Sequence, residues 1–424
     1  MSYELHCYND NNIELEYVSY ISNEPNVILE LYRGKLFCYI IKEFIYKATT
    51  LFGTKIFSIK KSCARTLTNL LSSWMFNLYA SKEFNNNKDP FLPNNFNETL
   101  SLKNILLDLI KYDTTILNAY DLIDELINFL TKLFETQLKM LDSYKKSSYY
   151  NTNKNNYIIK KNKIIQERLD KNYDFYKFEV QTTFDIKDKR LGNILDNLLI
   201  PFDEYNKLKI NYSGQNCMDE YIWIILFRYQ LLGSNNHQLG VKSDIMSNMN
   251  KDYNLNFECF ASSINSTFKR YCSIYYDVEK YFGSTGSFYN LTPKRGTFGL
   301  NPPYQKDIIE TALLKALEYL EESANNNRDL TFIITIPIWD TEGRKEFTND
   351  LPQQNIDYGD FDIIKKVTDS KYHKLTRKIA KENFTYIDHN FKLLKNKTIQ
   401  NTYVIIISSK KDIDTSKLLQ YDFR

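Results

Sequence analysis

Asn301-Pro302-Pro303-Tyr304 is the one short stretch of this chain whose residue types and order suit a defined chemistry. The exocyclic amine of an aromatic base is a poor nucleophile, because its lone pair is delocalised into the ring. A protein that accepts hydrogen bonds from both amine hydrogens favours a pyramidal nitrogen with its lone pair aimed at an incoming methyl group. Asn301 offers a side-chain carbonyl for one bond, and Pro302 offers a backbone carbonyl for the other. Proline has a fixed φ and no N–H, so that carbonyl needs little reorganisation at the moment of transfer. Tyr304 offers a ring on which a purine can stack, worth roughly 1–3 kcal/mol per base. A Pro-Pro turn ahead of a helix is the purely structural use of the same residues.

The elements around this corner must be able to present it. "GTFGLNPPY" (296–304) reads as a strand running into the corner, and "KDIIETALLKALEYLEES" (306–323) as a helix with Ile309, Leu313, Ala316, Leu317 and Leu320 inward. "NFECFASS" (256–263) reads as a short strand entering a small-residue turn. "EYIWIILFRYQLLG" (220–233) reads as a buried helix stopped by Gly233, and "LTFIITIPIW" (330–339) and "NTYVIIISSK" (401–410) as buried strands. Strands alternating with helices predict an α/β fold with a largely parallel sheet. In such sheets ligands sit beyond the carboxyl ends of the strands, where both the turn after "FECFA" and the Pro-Pro corner lie.

Ahead of this region, residues 1–160 read as mostly helical. "EYVSYI" and "NVILELY" near the start read as strands. "DLIDELINFLTKLFETQLKML" (121–141) reads as an amphipathic helix with Leu122, Leu126, Phe129, Leu130 and Leu133 on one face, and "SLKNILLDLIKY" (101–112) behaves likewise. An Asn/Pro loop (85–98) separates earlier helices from later ones. "SYKKSSYYNTNKNNYIIKKNK" (143–163) reads as a solvated linker, or as a basic strip beside a polyanion. It sets a boundary between residues 1–160 and 161–424.

The bulk properties narrow the function classes. The net charge is +3, so any polyanion must be met by a local patch rather than a basic whole. Six scattered cysteines without a C-x-x-C pair imply reduced thiols, and four histidines keep no zinc-ligand spacing with them. No apolar run approaches the length of a membrane span, and the polar start is not a signal peptide. These features predict a soluble protein, cytoplasmic or else nuclear.

"FECFASSINSTFKRYCSIYYDVEKYFGSTGSF" (257–288), "GTFGLNPPYQKDIIETAL" (296–313) and "TFIITIPIW" (331–339), in this order, resemble the phosphorylated-CTD-interacting factor family. The resemblance covers about residues 217–340. It implies a class I, Rossmann-like methyltransferase domain preceded by a helical domain. S-adenosylmethionine is the implied donor, and the implied acceptor is N6 of the adenosine, usually 2′-O-methylated, that follows a 7-methylguanosine cap. By motif position Asn301, Pro302, Pro303 and Tyr304 form the catalytic corner, where the family more often ends in phenylalanine. Phe260, Ala261, Ser262 and Asn265 line the methionine end of the donor, and Asp277 grips its ribose or amine. Lys269, Arg270, Lys294 and Arg295 flank the two motifs and are candidates for holding the cap triphosphate.

Three departures stand out. The family's Ser-Pro in the donor loop is Ser262-Ser263 here, and the acidic residue expected at 306 is lysine. Trp74, Trp223 and Trp339 cannot form a two-tryptophan WW module, so docking on a phosphorylated polymerase tail is not expected. Two further readings remain open. One is a general N6-adenine methyltransferase on DNA or internal RNA; the other is an inactive RNA-binding subunit that has kept the fold.

Overall fold

Leu330–Pro337 is buried at every position, as a strand covered on both faces must be. It forms the middle of a large mixed sheet. The computed structural model describes residues 3–20, 25–53, 63–80, 89–93, 102, 103, 106, 119–168, 171–215, 217–233, 239–304, 306–337, 362–388, 395–397 and 401–424. Its strands are β1 (Tyr3–Asn9), β2 (Glu14–Tyr20), β3 (Tyr157–Arg168), β4 (Lys171–Thr182), β5 (Leu199–Pro201), β6 (Leu239–Val241), β7 (Leu255–Glu258), β8 (Arg270–Tyr271), β9 (Leu291–Leu300), β10 (Leu330–Pro337), β11 (His373–Ile379), β12 (Tyr386–Asp388), β13 (Lys395–Lys397) and β14 (Thr402–Ser408). The helices are α1 (Val27–Phe52), α2 (Cys63–Ala80), α3 (Ala119–Lys146), α4 (Ser148–Asn153), α5 (Lys189–Leu195), α6 (Phe202–Asn211), α7 (Met218–Leu232), α8 (Ser243–Tyr253), α9 (Tyr276–Glu279), α10 (Lys306–Asn325), α11 (Asp362–Thr368) and α12 (Ser416–Leu419).

The main sheet runs β8-β7-β9-β10-β14-β11. β8, β7, β9 and β10 are parallel, β14 is antiparallel to β10, and β11 is antiparallel to β14. The sheet is therefore mixed rather than largely parallel. The hairpin β1–β2 pairs antiparallel with the first half of β9, from Leu291 to Arg295. Alternation along β10 sends Phe332, Ile334 and Ile336 to one core with Ile309, Leu313, Ala316 and Leu320 of α10. Ile333 meets the opposite core with Ile245, Met246 and Met249 of α8. Two small antiparallel sheets, β13-β12-β6 and β3-β4-β5, stand beside the main one.

α7 is buried nearly all round and ends at Gly233, whose φ of +69° is the left-handed stop that its glycine suggested. It belongs to a third core shared with α1, α2 and α3. This core does not respect the expected boundary: the break at 160/161 falls inside β3, and side chains from Val27 to Phe282 share the cluster.

Several local expectations are corrected. "NVILELY" is the start of α1, because Asn26 accepts the Leu29 N–H (3.2 Å) and caps a 26-residue helix. The stretch 143–163 is the end of α3, then α4 and the start of β3, and its tyrosines pack: Tyr144 stacks on Tyr32 with centroids 3.8 Å apart. In α3 the deepest residues are Ile123, Leu126, Leu130 and Phe134, while Leu122, Phe129 and Leu133 flank them half-buried. Most of the helix expected over 101–112 and of the loop 85–98 falls outside the described residues, as does Trp339. No described helix is long and apolar enough to cross a membrane.

Candidate active site

β9 makes its last sheet pairing at Leu300, opposite Ile334, and the chain leaves the sheet as Asn301-Pro302-Pro303-Tyr304 before α10 begins at Lys306. Asn301 donates from Nδ2 to the Leu239 carbonyl (3.5 Å) and accepts at Oδ1 from the Tyr304 hydroxyl (3.1 Å). Those two contacts orient the amide. The Tyr304 ring meets Tyr386 edge-on at 5.8 Å, and the Tyr386 hydroxyl bonds Thr402 Oγ1 at 3.1 Å. Burial, with the Tyr386 phenol beside it, pushes Tyr304 far above the ordinary tyrosine range, and burial pushes Tyr386 up to about 12. Neither phenol ionises near neutral pH, so neither can be a general base.

The turn after β7 has no glycine, and side chains hold it instead. Asn265 Oδ1 accepts the Ser262 N–H (2.7 Å) and hydroxyl (3.1 Å). Glu279 Oε1 accepts the Ser263 N–H (2.7 Å) and hydroxyl (3.0 Å). Lys207 Nζ donates to the carbonyls of Ile264 (2.8 Å) and Ser266 (2.9 Å). Glu258 Oε2 accepts the N–H groups of Thr267 (2.7 Å) and Phe268 (3.0 Å). The departure from Ser-Pro thus has a local consequence: Ser263 brings an N–H that proline lacks, and a buried carboxylate receives it.

One open cavity joins the two elements. Its wall includes all four residues of the corner together with Phe260, Ala261 and Asn265. Ser262 is buried beneath the turn and does not line the cavity. Phe76 and Tyr79 of α2 and Tyr229 of α7 close the wall from the helical side. A smaller adjoining hollow reaches Glu258, with Asn265 and Asn301 on its rim. Burial raises the Glu258 carboxyl to about 7, against the pull of its two backbone N–H bonds.

Five expected residues are placed elsewhere. Asp277 gives both oxygens to the buried Arg228 (2.7 and 2.8 Å), which also pairs with Glu30 of α1. It has no acceptor turned toward a ligand, so its assignment to the donor ribose or amine is not met. Lys294 pairs with Glu16, and Arg295 donates to Asp10 and Asn11 carbonyls and to Asn9 Oδ1. Arg270 lies over the Tyr8 ring at 5.0 Å. These three pin the β1–β2 hairpin. Lys294 and Arg295 also sit midway along β9, about 20 Å of strand from the corner at ~3.3 Å per residue. Lys269 is exposed, with its carbonyl against Gly283. None of the four lines the cavity.

Sequence reasoning missed Glu258, Glu279 and Lys207. Glu258 stood in plain sight inside "FECFASS", at the carboxyl end of its strand. Glu279 lies two residues from the chosen Asp277, on the same short helix. Lys207 carries no sequence signal beyond its charge.

Comparison with known proteins bears on this region. Residues 202–389 match the family described as phosphorylated CTD interacting factor 1 WW domain. A stretch of 124 residues is 32% identical to the mouse protein named mRNA (2'-O-methyladenosine-N(6)-)-methyltransferase, and the human protein of the same name matches equally. That stretch is 28% of this chain and 17% of each relative, so the chain matches under a fifth of the relatives' length. The matched description names a WW domain and CTD interaction, neither of which the sequence reading expects. That expectation assumed a small module marked by two tryptophans, whereas the match extends over helices and strands from α6 to β12.

Proposed function

We propose that the chain, whose residues 202–389 match the phosphorylated CTD interacting factor 1 family model, is a member of that family and an adenosine N6-methyltransferase acting at capped mRNA 5′ ends. One observation carries the reading: a single cavity is lined by the Asn-Pro-Pro-Tyr corner and by the turn after β7. A class I, Rossmann-like methyltransferase arrangement is supported by the strand order β8-β7-β9-β10-β14-β11, in which one antiparallel strand lies between two strands of common direction. Both elements lie at carboxyl ends of neighbouring parallel strands, the usual ligand position.

S-adenosylmethionine is the donor in this reading, and when bound it supplies an electrophilic methyl group on a cationic sulfur. The residues suit such a group. Phe260 and Phe288 offer aromatic faces to a cation, and the Glu258 carboxyl offers an opposite charge. Asn265 commits its oxygen to Ser262, which leaves its Nδ2 end for an acceptor on the ligand. Ala261, with its small side chain, leaves room against the strand end.

On the acceptor side, Asn301 Oδ1 keeps a lone pair beyond the one taken by Tyr304, and Pro302 contributes a carbonyl with no competing N–H. Together they accept both hydrogens of an adenine amine. Tyr304 presents its ring at the same wall. Its phenol stays protonated, so the proton of the methylated amine leaves to water rather than to the corner.

The test uses capped RNAs beginning with A or G, with uncapped controls, labelled S-adenosylmethionine, and wild-type or Asn301→Ala protein. Methyl incorporation is expected only on capped, A-starting RNA, and should fall at least ~100-fold in the variant. Equal incorporation without a cap would make the enzyme a general adenine methyltransferase. No incorporation on RNA or DNA, with RNA still bound, would make it a binding subunit.

A further inference from the structure

Glu279 is wholly buried and does not touch the cavity, yet four donors converge on it. Its Oε1 takes the N–H and the hydroxyl of Ser263, while Oε2 takes the Tyr229 hydroxyl (3.1 Å) and the Tyr275 N–H (3.2 Å). The Tyr271 hydroxyl closes the set by donating to Ser263 Oγ (2.8 Å). Every contact at Glu279 asks it to accept, which a carboxylate does at both oxygens and an amide does at only one. The turn it grips supplies Ala261 and Asn265 to the cavity wall, and this turn has neither a proline to stiffen it nor a glycine-rich path of its own.

We propose that Glu279 is a positioning residue for the donor: by holding Ser263 it fixes the turn 261–265 in the shape that binds S-adenosylmethionine. The inference rests on the methyltransferase reading above. The acceptor corner has no bond to Glu279, so the effect falls on one ligand alone. Tyr229 makes the same carboxylate a link to α7, and hence to the helical core. Backbone geometry at the turn is therefore set by a side chain more than a dozen residues downstream.

Calorimetry with S-adenosylhomocysteine, which binds the donor site without turnover, tests this on wild type, Glu279→Gln and Ser263→Ala. Glu279→Gln is expected to weaken binding roughly tenfold, as loss of a charge-assisted hydrogen bond can, with unchanged stoichiometry. Ser263→Ala keeps the N–H bond and should weaken binding by a smaller factor. The kcat at saturating donor and the KM for RNA should stay within about twofold in both. Hydrogen exchange gives a ligand-free readout, because the Ser263 amide should lose protection in Glu279→Gln while amides of β9 keep theirs. Unchanged affinity in both variants would overturn the proposal, as would a parallel loss of donor and RNA parameters. If Glu279→Gln does not fold, Ser263→Ala decides: unchanged affinity overturns the proposal, and a donor-only loss supports it. Failure of folded wild type to bind S-adenosylhomocysteine would overturn the proposal together with its premise.

Discussion

The Asn-Pro-Pro-Tyr corner and the turn after β7 lie on one cavity but are held by opposite means. Asn301-Pro302-Pro303-Tyr304 is stiff because of its covalent structure: two consecutive prolines fix φ, and the nearest support for Asn301 comes from Tyr304, three residues along. The turn 261–268 is stiff because of its surroundings, since Glu258, Glu279 and Lys207 approach it from three elements. Local rigidity survives damage elsewhere. Rigidity borrowed from tertiary contacts does not, and the variants below separate the two.

The largest expected effect is that of Arg228→Met. Arg228 is fully buried between Glu30 of α1 and Asp277, and Glu30 also holds Arg33, which grips Asp89. Removing the guanidinium leaves two buried carboxylates with reduced partnership, a loss that typically costs about 3–5 kcal/mol. Urea unfolding should show it, and ligand affinity should fall along with stability, because the neighbouring Tyr229 supports Glu279. A change below about 1 kcal/mol would mean that the helical core and the turn are not coupled through this helix.

That contrast also explains what could be read from sequence. The corner could be picked out because four adjacent residues suit one chemistry, and all four line the cavity. The position of the turn was legible, since Phe260, Ala261 and Asn265 do line the cavity, but its supports were not. On the short helix α9, Asp277 faces Arg228 while Glu279 faces Ser263, so the right neighbourhood offered two carboxylates with different partners. The basic pairs failed for a different reason. Closeness along the chain placed Lys294 and Arg295 beside the motif, but an extended strand holds them about 20 Å from it. "NVILELY" was misread because β-branched and apolar residues suit either element over seven positions, and only the Asn26 cap and the length of α1 decide it.

Glu258→Gln sharpens the donor side. In the ligand-free protein the Glu258 carboxyl is raised by burial to about 7, so the folded state binds its proton more tightly than the unfolded state does. Its contribution to stability therefore falls as pH rises from the ordinary carboxylate range to about 7, and is flat above. A cationic ligand favours the charged carboxylate. Affinity for S-adenosylmethionine, whose sulfonium is cationic, should then weaken as pH drops below 7, by at most about tenfold per pH unit, and Glu258→Gln should flatten that profile. A sloping profile retained in the variant would place the titrating group elsewhere.

The smallest effect belongs to the corner, and its smallness is the point. Tyr304→Phe keeps the ring and removes only the hydroxyl that donates to Asn301 Oδ1. If proline geometry carries the corner, the amide loses one restraint and keeps the other, the Leu239 carbonyl at 3.5 Å. One neutral hydrogen bond is worth about 0.5–1.5 kcal/mol, so kcat should fall by roughly two- to tenfold while affinity for S-adenosylhomocysteine stays unchanged. A hundredfold loss would show that Tyr304, rather than the two prolines, sets the orientation of Asn301. The corner would then depend on tertiary contacts as the turn does, through Tyr386 and Thr402, and the contrast between the two halves of the site would disappear.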